Sequence, residues 1–209
     1  GTIIDVQKGG TTVGSIGTDS GQLTISSTGN SGLYFAGRIQ PTDGDGTRND
    51  GVVDLGSSTS RFEDIYLSGG VFLGGTGAAN KLDDYEVGRF TPSFAASSAT
   101  YSQRQGDYVK IGKLVTVYIF MNWTSVSGWS GNIDGMPFTC SSLDTFYPMG
   151  TAFNNEGVTY ASGRTTLVPY INDNSNVMTV TCVGSGITSA VPTLSSSGYW
   201  HLSLTYQTT

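Results

Sequence analysis

The sequence has few charged residues and no long hydrophobic run. Charged residues make up 12% of the 209 residues, about half of the usual share, so long solvated helices are not expected. Ten Lys and Arg stand against 16 Asp and Glu, for a net charge of −6, and they form no basic stripe that would bind nucleic acid. No run reaches the roughly 18 apolar residues that a membrane-spanning helix needs, so membrane insertion is not expected.

Cysteine and histidine are also scarce. Cys140 and Cys182 each lie in a strand-like run, which favours two buried free thiols, with a disulfide as the alternative. His201 is the only histidine. It is not accompanied by a Gly-x-Ser-x-Gly elbow, so we expect a structural histidine and not a catalytic one. In the glycine-rich run 75–82, Asn80 stands where nucleotide-binding loops have a Gly, and Leu82 stands where a P-loop has Ser or Thr. No cofactor is therefore expected.

Glycine is abundant, with 30 residues, and Ser, Thr, Val and Tyr accompany it. This composition favours short strands joined by tight turns, and no helix longer than a turn or two is evident. The sequence therefore predicts an all-β protein. The first residue is Gly and not Met, which suggests a fragment of a longer chain or a processed product.

Residues 1–52 contain short strands of alternating apolar and polar residues, separated by Gly-rich turns. Thr12–Ile16 and Gln22–Ser26 show this period of two, which is typical of half-buried strands. Each strand is too short and too polar to bury much surface alone. We therefore expect several copies of the chain to wrap around a shared axis as a Gly-rich intertwined β shaft. A small β-sandwich lobe is the alternative.

Residues 93–209 predict an antiparallel β-sandwich of jelly-roll type, because strand-like runs alternate with turn signals. The strongest strand signal covers residues 109–123. One face of this strand carries Val115, Val117, Ile119, Met121 and Trp123. The other face is also largely apolar, with Leu114, Tyr118 and Phe120 among its residues. A strand of this kind is typically covered on both sides, here by the sandwich core and by a partner subunit.

Residues 53–92 connect these two regions. Residues 57–64 predict one helical turn, since a Ser or Thr cap is followed three residues later by an acid. Residues 65–67 and 71–73 predict two short strands around a Ser-Gly-Gly run, which suits either a hairpin or one strand with a glycine kink.

The same connector carries a family resemblance. Residues 54–58 (DLGSS), 61–70 (RFEDIYLSGG), 73–77 (LGGTG) and 81–86 (KLDDYE) together resemble a module that recurs in tail fibres and other receptor-binding fibres of tailed bacteriophages. Upstream, residues 32–35 and 39–41 are similar to the shaft repeats that precede this module. The family usually continues with Glu-Gly-Thr-Trp-Thr-Pro, whereas this chain has Val-Gly-Arg-Phe-Thr-Pro at residues 87–92.

The resemblance implies a homotrimer with a fibre shaft in residues 1–52, a connector in residues 53–92 and a receptor-binding domain in residues 93–209. It further implies a virion protein at the distal end of a tail fibre, made in the host bacterial cytoplasm and attached to other tail proteins. The expected function is attachment to a host cell-surface glycan or protein receptor, without enzymatic activity. The first alternative is a structural fibre or connector, such as a head fibre. A polysaccharide depolymerase is disfavoured, because no well-separated pair of acids is recognisable.

Exposed aromatic residues beside polar loops are the candidate glycan-binding residues. Sugars offer apolar C–H faces and hydroxyl groups, so a sugar site needs aromatic rings and polar hydrogen-bonding groups. The candidates are Trp129, Tyr147, Tyr160, Tyr170, Asn172 and Asp173. The alternative for any of these aromatic residues is a place in the core or in a subunit interface. Trp129, in a Ser- and Gly-rich loop, is expected to be the most exposed.

Two groups of acids are candidates for calcium binding, since hard oxygen ligands suit that ion. Asp83, Asp84 and Glu86 lie close together in the sequence, and their position in the connector favours turn or inter-subunit hydrogen bonds. Asp43, Asp45 and Asp50 form the second group, but their spacing does not match an EF-hand loop, so a polar turn is favoured. No metal site is predicted.

Overall fold

Short alternating runs in the first part of the chain form one antiparallel sheet. In the computed structural model, which describes residues 1–29, 31–95, 97–142 and 147–209 and only the backbone at 154 and 155, the chain divides into two units, Gly1–Tyr66 and Leu67–Thr209. In the first unit, neighbouring strands pair in chain order, as the Gly-rich turns between them require. The strands are β1 (Thr2–Lys8), β2 (Thr11–Asp19), β3 (Gln22–Ser27), β4 (Gly32–Phe35) and β5 (Ile39–Thr42).

The first sheet exposes its apolar face. Ile4, Ile16, Ile25 and Leu33 are cross-strand neighbours in one row, and Ile4, Ile25 and Leu33 are each exposed by 44% or more. The opposite face carries the buried residues, and these are mostly polar: Thr24, Ser26, Tyr34 and Thr42. The loop after β5 covers that face.

The second unit contains one two-stranded ribbon and two larger antiparallel sheets. The orders of the larger sheets are β13-β17-β11-β10-β8 and β14-β15-β12-β9, with β16 paired to β15. The strands are β6 (Val71–Phe72), β7 (Lys81–Leu82), β8 (Tyr85–Phe90), β9 (Ser93–Phe94), β10 (Ser98–Ile111), β11 (Leu114–Ser127), β12 (Asn132–Asp134), β13 (Thr151–Thr159), β14 (Thr166–Ile171), β15 (Met178–Gly184), β16 (Ile187–Ala190) and β17 (Thr193–Gln207). Among the described residues of this unit, one 3-10 turn lies at Ala78–Asn80.

The two larger sheets share one hydrophobic core. The side chains of β11 that point inward are the five predicted from the alternation, and all are at most 2% exposed. They pack with residues of both sheets, among them Trp200, Ile133 and Met178. Cys140 and Cys182 are buried free thiols, as predicted, and burial raises the pKa of the Cys140 thiol.

Three expectations for local structure are wrong. The strand predicted over residues 109–123 is two strands, because Gly112 adopts a φ of +56° and turns β10 into β11. Residues 57–64 form no helix; the Ser57 hydroxyl instead accepts a hydrogen bond from the Ser60 amide at 3.0 Å. Residues 65–73 form neither the predicted hairpin nor a kinked strand, since residues 65–67 belong to no strand and Val71–Phe72 pairs with Lys81–Leu82.

The all-β prediction is confirmed. The trimeric shaft, the jelly-roll arrangement and the three-part division of the chain remain predictions. The described ranges include no helix of the length and hydrophobicity needed to cross a membrane.

Candidate functional site

A groove lies on the outer face of the β13-β17-β11-β10-β8 sheet. Residues of β11 alternate in direction, so Tyr118 and Phe120 point away from the core that Val117 and Ile119 enter. Register places Phe120 beside His201 of β17, and His201 beside Phe153 of β13. The rings of Phe120 and His201 lie 4.7 Å apart and those of Phe153 and His201 lie 6.3 Å apart. The groove has a volume of about 400 Å³.

The aromatic floor of the groove is open to solvent. Tyr118 is 58% exposed and Phe153 is 59% exposed, and His201 is also exposed. Large apolar side chains in solvent at adjacent positions are unusual for a sheet face with no ligand or partner. These rings therefore offer a surface on which an apolar ligand face can stack.

Polar side chains form one wall of this groove. Gln103, Gln105 and Asp107 follow one another on the outer face of β10. Asp107 accepts hydrogen bonds from Gln105 Nε2 at 2.7 Å and from Arg89 Nε at 3.0 Å. These two donors hold the carboxylate in place beside Tyr118, its cross-strand neighbour. On the other side, the hydroxyls of Thr151 and Ser203 are 2.7 Å apart.

Amides, hydroxyls and a carboxylate around stacked rings suit a sugar chemically. The aromatic faces accept sugar C–H groups, while the polar wall exchanges hydrogen bonds with hydroxyls. Among the described residues that line the groove, Asp107 is the one carboxylate. Glycoside hydrolysis by the usual mechanism needs two carboxyl groups. The groove's described residues therefore provide binding chemistry and one of the two acids.

Trp129 and Tyr160 are not the exposed aromatic residues that we expected. Trp129 is half-buried because its ring packs on Phe94 at 4.9 Å and on Trp200 at 5.6 Å. Its Nε1 atom donates to the Pro192 carbonyl at 3.0 Å. Tyr160 is half-buried against the core. The expectation of exposure at Trp129 is therefore wrong, because the aromatic cluster draws the ring inward.

Tyr147 and Tyr170 do lie together. Their rings are 6.1 Å apart in an edge-to-face arrangement, and Tyr147 is 52% exposed. Asn172 is exposed and Asp173 is half-buried. Tyr147 also lines a second hollow of about 460 Å³, together with Leu114, Pro148, Met149, Thr205, Tyr206 and Gln207. A glycan-binding role for the six predicted residues remains a prediction.

Sequence reasoning missed the groove itself. The sequence predicts a partner subunit over the face of Tyr118 and Phe120 and a structural role for His201, and both remain predictions. In the structure His201 is exposed among aromatic rings. One signal was available: Gln103, Gln105 and Asp107 alternate with period two beside an aromatic-rich strand, which indicates a polar stripe on one sheet face.

Asp83, Asp84 and Glu86, the first group of candidate calcium ligands, have partners within the chain. Asp83 pairs with Lys81 at 3.0 Å, and this hydrogen bond lowers the pKa of Asp83. Asp84 pairs with Lys110. Tyr108 donates to Glu86, which raises the pKa of the Tyr108 hydroxyl. No cluster of three or more metal-ligating side chains occurs in the described part of the chain.

Comparison with known proteins gives a partial match. No protein-family model matches the chain. The chain is 30% identical over 108 residues to a capsule KN4-specific depolymerase of Klebsiella phage K64-1, a match that covers 49% of this chain and 14% of that protein. The crystal structure of the Dettilon tailspike protein aligns with a TM-score of 0.43 at 19% identity, over 58% of this chain and 24% of that one. This structural match is too weak to support an argument.

The depolymerase match bears on two predictions. It supports the coarse resemblance to bacteriophage tail or receptor-binding proteins, and it does not address the distal position in a fibre. The prediction that the protein is not an enzyme is contradicted, because the relative is a capsule depolymerase. That prediction depended on the lack of a recognisable pair of acids, and the described groove residues likewise include a single carboxylate, Asp107. The correction therefore comes from the relative and not from the geometry of the groove.

Proposed function

We propose that this chain belongs to a bacteriophage protein that attaches to capsular polysaccharide on the host surface and depolymerises it. The groove on the outer sheet face supplies the sugar binding. The observation that carries this proposal is the aromatic floor formed by exposed Tyr118 and Phe153 and half-buried Phe120, flanked by the polar wall of β10. The similarity to a capsule depolymerase supports polysaccharide as the ligand class.

Each part of the groove has a distinct role in this proposal. Tyr118 and Phe153 stack on sugar rings, and His201 lies between the aromatic side chains of two neighbouring strands. Asp107 accepts hydrogen bonds from sugar hydroxyls, since a carboxylate has lone pairs beyond those used by Arg89 and Gln105. The Thr151 and Ser203 hydroxyls complete the opposite side.

Titration calorimetry with purified KN4 capsular polysaccharide and a panel of other capsular polysaccharides tests the binding. We expect one member of the panel to bind, and we expect Phe153→Ala to weaken this binding about tenfold or more, because aromatic anchors dominate such interfaces. Tyr66→Ala, at a side chain 90% exposed in the first unit, is the matched control and leaves the affinity unchanged. Absence of binding to every polysaccharide would refute the proposal.

A reducing-end assay on the same polysaccharide tests depolymerisation separately. The expected result is a rise in reducing ends with the wild-type chain, and a smaller rise with Asp107→Asn. Binding without any release of reducing ends would leave the attachment role standing and remove the depolymerase role from this chain.

We further propose that the first unit assembles copies of the chain, as a homotrimeric shaft. Its apolar row of Ile4, Ile16, Ile25 and Leu33 is largely exposed, whereas the buried residues of the opposite face are mostly polar. Burial of such a row between copies removes apolar surface from water. In this proposal residues 1–52 are the shaft, residues 53–92 the connector and residues 93–209 the receptor-binding domain of a virion tail protein.

A further inference from the structure

The groove and the second hollow lie on the same face of the same two strands. The groove is lined by Tyr118 of β11 and by His201 and Ser203 of β17. The second hollow is lined by Leu114 of β11 and by Thr205 and Gln207 of β17. Alternate residues of a strand share one face, so all six side chains lie on the outer face of the sheet. From His201 to Gln207 the strand advances about 20 Å.

Small hydroxyl residues lie between the two hollows. Thr116 and Thr205 are cross-strand neighbours whose hydroxyl oxygens are 3.0 Å apart. Ser203 lies next along this face, with its hydroxyl 2.7 Å from that of Thr151. No bulky side chain of β11 or β17 separates the hollows, since Thr116 stands between Leu114 and Tyr118. The face thus presents a line of hydroxyls with aromatic residues at each end.

Charge is nearly absent along this surface. Among the described side chains that line either hollow, Asp107 is the one carboxylate, and no Lys or Arg is among them. The ion pair of Asp107 with Arg89 at 3.0 Å offsets that single charge. A ligand bound here is therefore contacted through ring faces and hydrogen bonds and not through ion pairs.

We propose that the two hollows form one continuous track that binds an internal stretch of a linear polysaccharide, several sugar rings long, along β11 and β17. Tyr147, at the Leu114 end, stacks on sugar rings beyond those held by Tyr118 and Phe153. This inference rests on the proposed function and specifies its ligand: an extended chain and not a single terminal sugar.

Oligosaccharides of one, two and three repeating units, cut from KN4 capsular polysaccharide, test the track. We expect the affinity of the wild-type chain to rise with each added unit. Phe153→Ala weakens binding of every length, whereas Tyr147→Ala leaves the shortest oligosaccharide unaffected and weakens the longest about tenfold. Tyr66→Ala is the control. Raising the ionic strength to about 0.5 M changes the affinity little, because no ion pair to the ligand is screened.

The outcomes separate this inference from the function on which it rests. If Phe153→Ala weakens binding but Tyr147→Ala affects all lengths equally or none, the track is not continuous, and the groove alone binds sugar. A fall in the solution molar mass with Tyr147→Ala would show that a second copy covers that end of the sheet, which also overturns the track. Absence of binding at every length would refute the proposed function and this inference together.

Discussion

The two units differ in whether the apolar face of their sheets is buried or exposed. In the second unit, alternate residues of β11 enter a core closed by another sheet, and they are at most 2% exposed. In the first unit, the row containing Ile25 and Leu33 faces solvent while Thr24 and Thr42 are buried. The second unit thus has its own hydrophobic core, whereas the first exposes an apolar face. This difference is the basis for proposing sugar binding in the second unit and self-association in the first.

The largest loss of stability is expected when a buried side chain is removed from the core of the second unit. Trp200 is fully buried and its ring contacts those of Phe94 and Trp123 at 5.4 and 5.6 Å. Trp200→Ala should lower the free energy of unfolding by about 3–5 kcal/mol, since it leaves a cavity in the aromatic cluster. Denaturant unfolding measures this change. Tyr66→Ala should lie within about 0.5 kcal/mol of wild type, and equal losses in the two variants would contradict the assigned core.

A smaller effect on folding, but a large effect on assembly, is expected in the first unit. Ile25→Asp puts a charge in the middle of the exposed apolar row, where no side chain of the same row compensates it. In light scattering, the wild-type chain should have about three times the monomer mass of 21.9 kDa, and the variant should approach one monomer mass, because burying an unpaired charge is costly. Leu55→Asp, at a side chain 74% exposed and outside the sheet, is the control. A wild-type chain of 21.9 kDa would refute self-association.

The smallest effect on stability is expected from the pH dependence of Asp43 and Asp45, in the loop that covers the polar face of the first sheet. Hydrogen bonding with Asp43, and then with Thr47, lowers the pKa of Asp45 to about 2. The shared hydrogen bond with Asp45 is also the main cause that raises the pKa of Asp43 from its ordinary value of 3.8. Carboxyl NMR signals followed from pH 6 to about pH 1.5 should show two separate titrations. Coincident titration of both groups near 3.8 would contradict the hydrogen-bonded pair.

The sign of the linked stability differs between these two acids. Asp45 has a lowered pKa in the folded chain, so its stabilisation is present above the unfolded pKa and is lost as the pH falls through about 2. Asp43 has a raised pKa, so its stabilisation is present at low pH and is lost as the pH rises through its folded value. Because Asp45 is exposed and Asp43 is only half-buried, water screens both groups, and the two contributions are small and partly cancel.

The strands were largely predictable because their alternation reflects burial. The period of two in residues 12–16 and 22–26 gave β2 and β3, and the inward face of β11 was predicted residue by residue. The break at Gly112 was not predicted, because the flanking residues remain strand-like on both sides of the turn. The hairpin over residues 65–73 was not a correct prediction, because Val71 and Phe72 pair with Leu82 and Lys81, which come later in the chain.

The candidate site was far less predictable, because it depends on register between distant strands. Phe120, Phe153 and His201 become neighbours only when β11, β17 and β13 pair, and no local pattern gives that order. Loop position favoured Trp129 as an exposed aromatic, yet the cluster with Phe94 and Trp200 holds its ring against the core. Nearby polar residues made Tyr147 and Tyr170 candidates for glycan binding, but their contact follows from the pairing of Met149 with Tyr170.

A crystal structure of the chain soaked with a KN4 capsular oligosaccharide tests the central claim, that the outer sheet face binds sugar. We expect sugar rings stacked on Tyr118 and Phe153, with hydroxyls hydrogen-bonded to Asp107 and Gln103. Sugar bound to the first unit, or to the β14-β15-β12-β9 sheet with the groove empty, would contradict it.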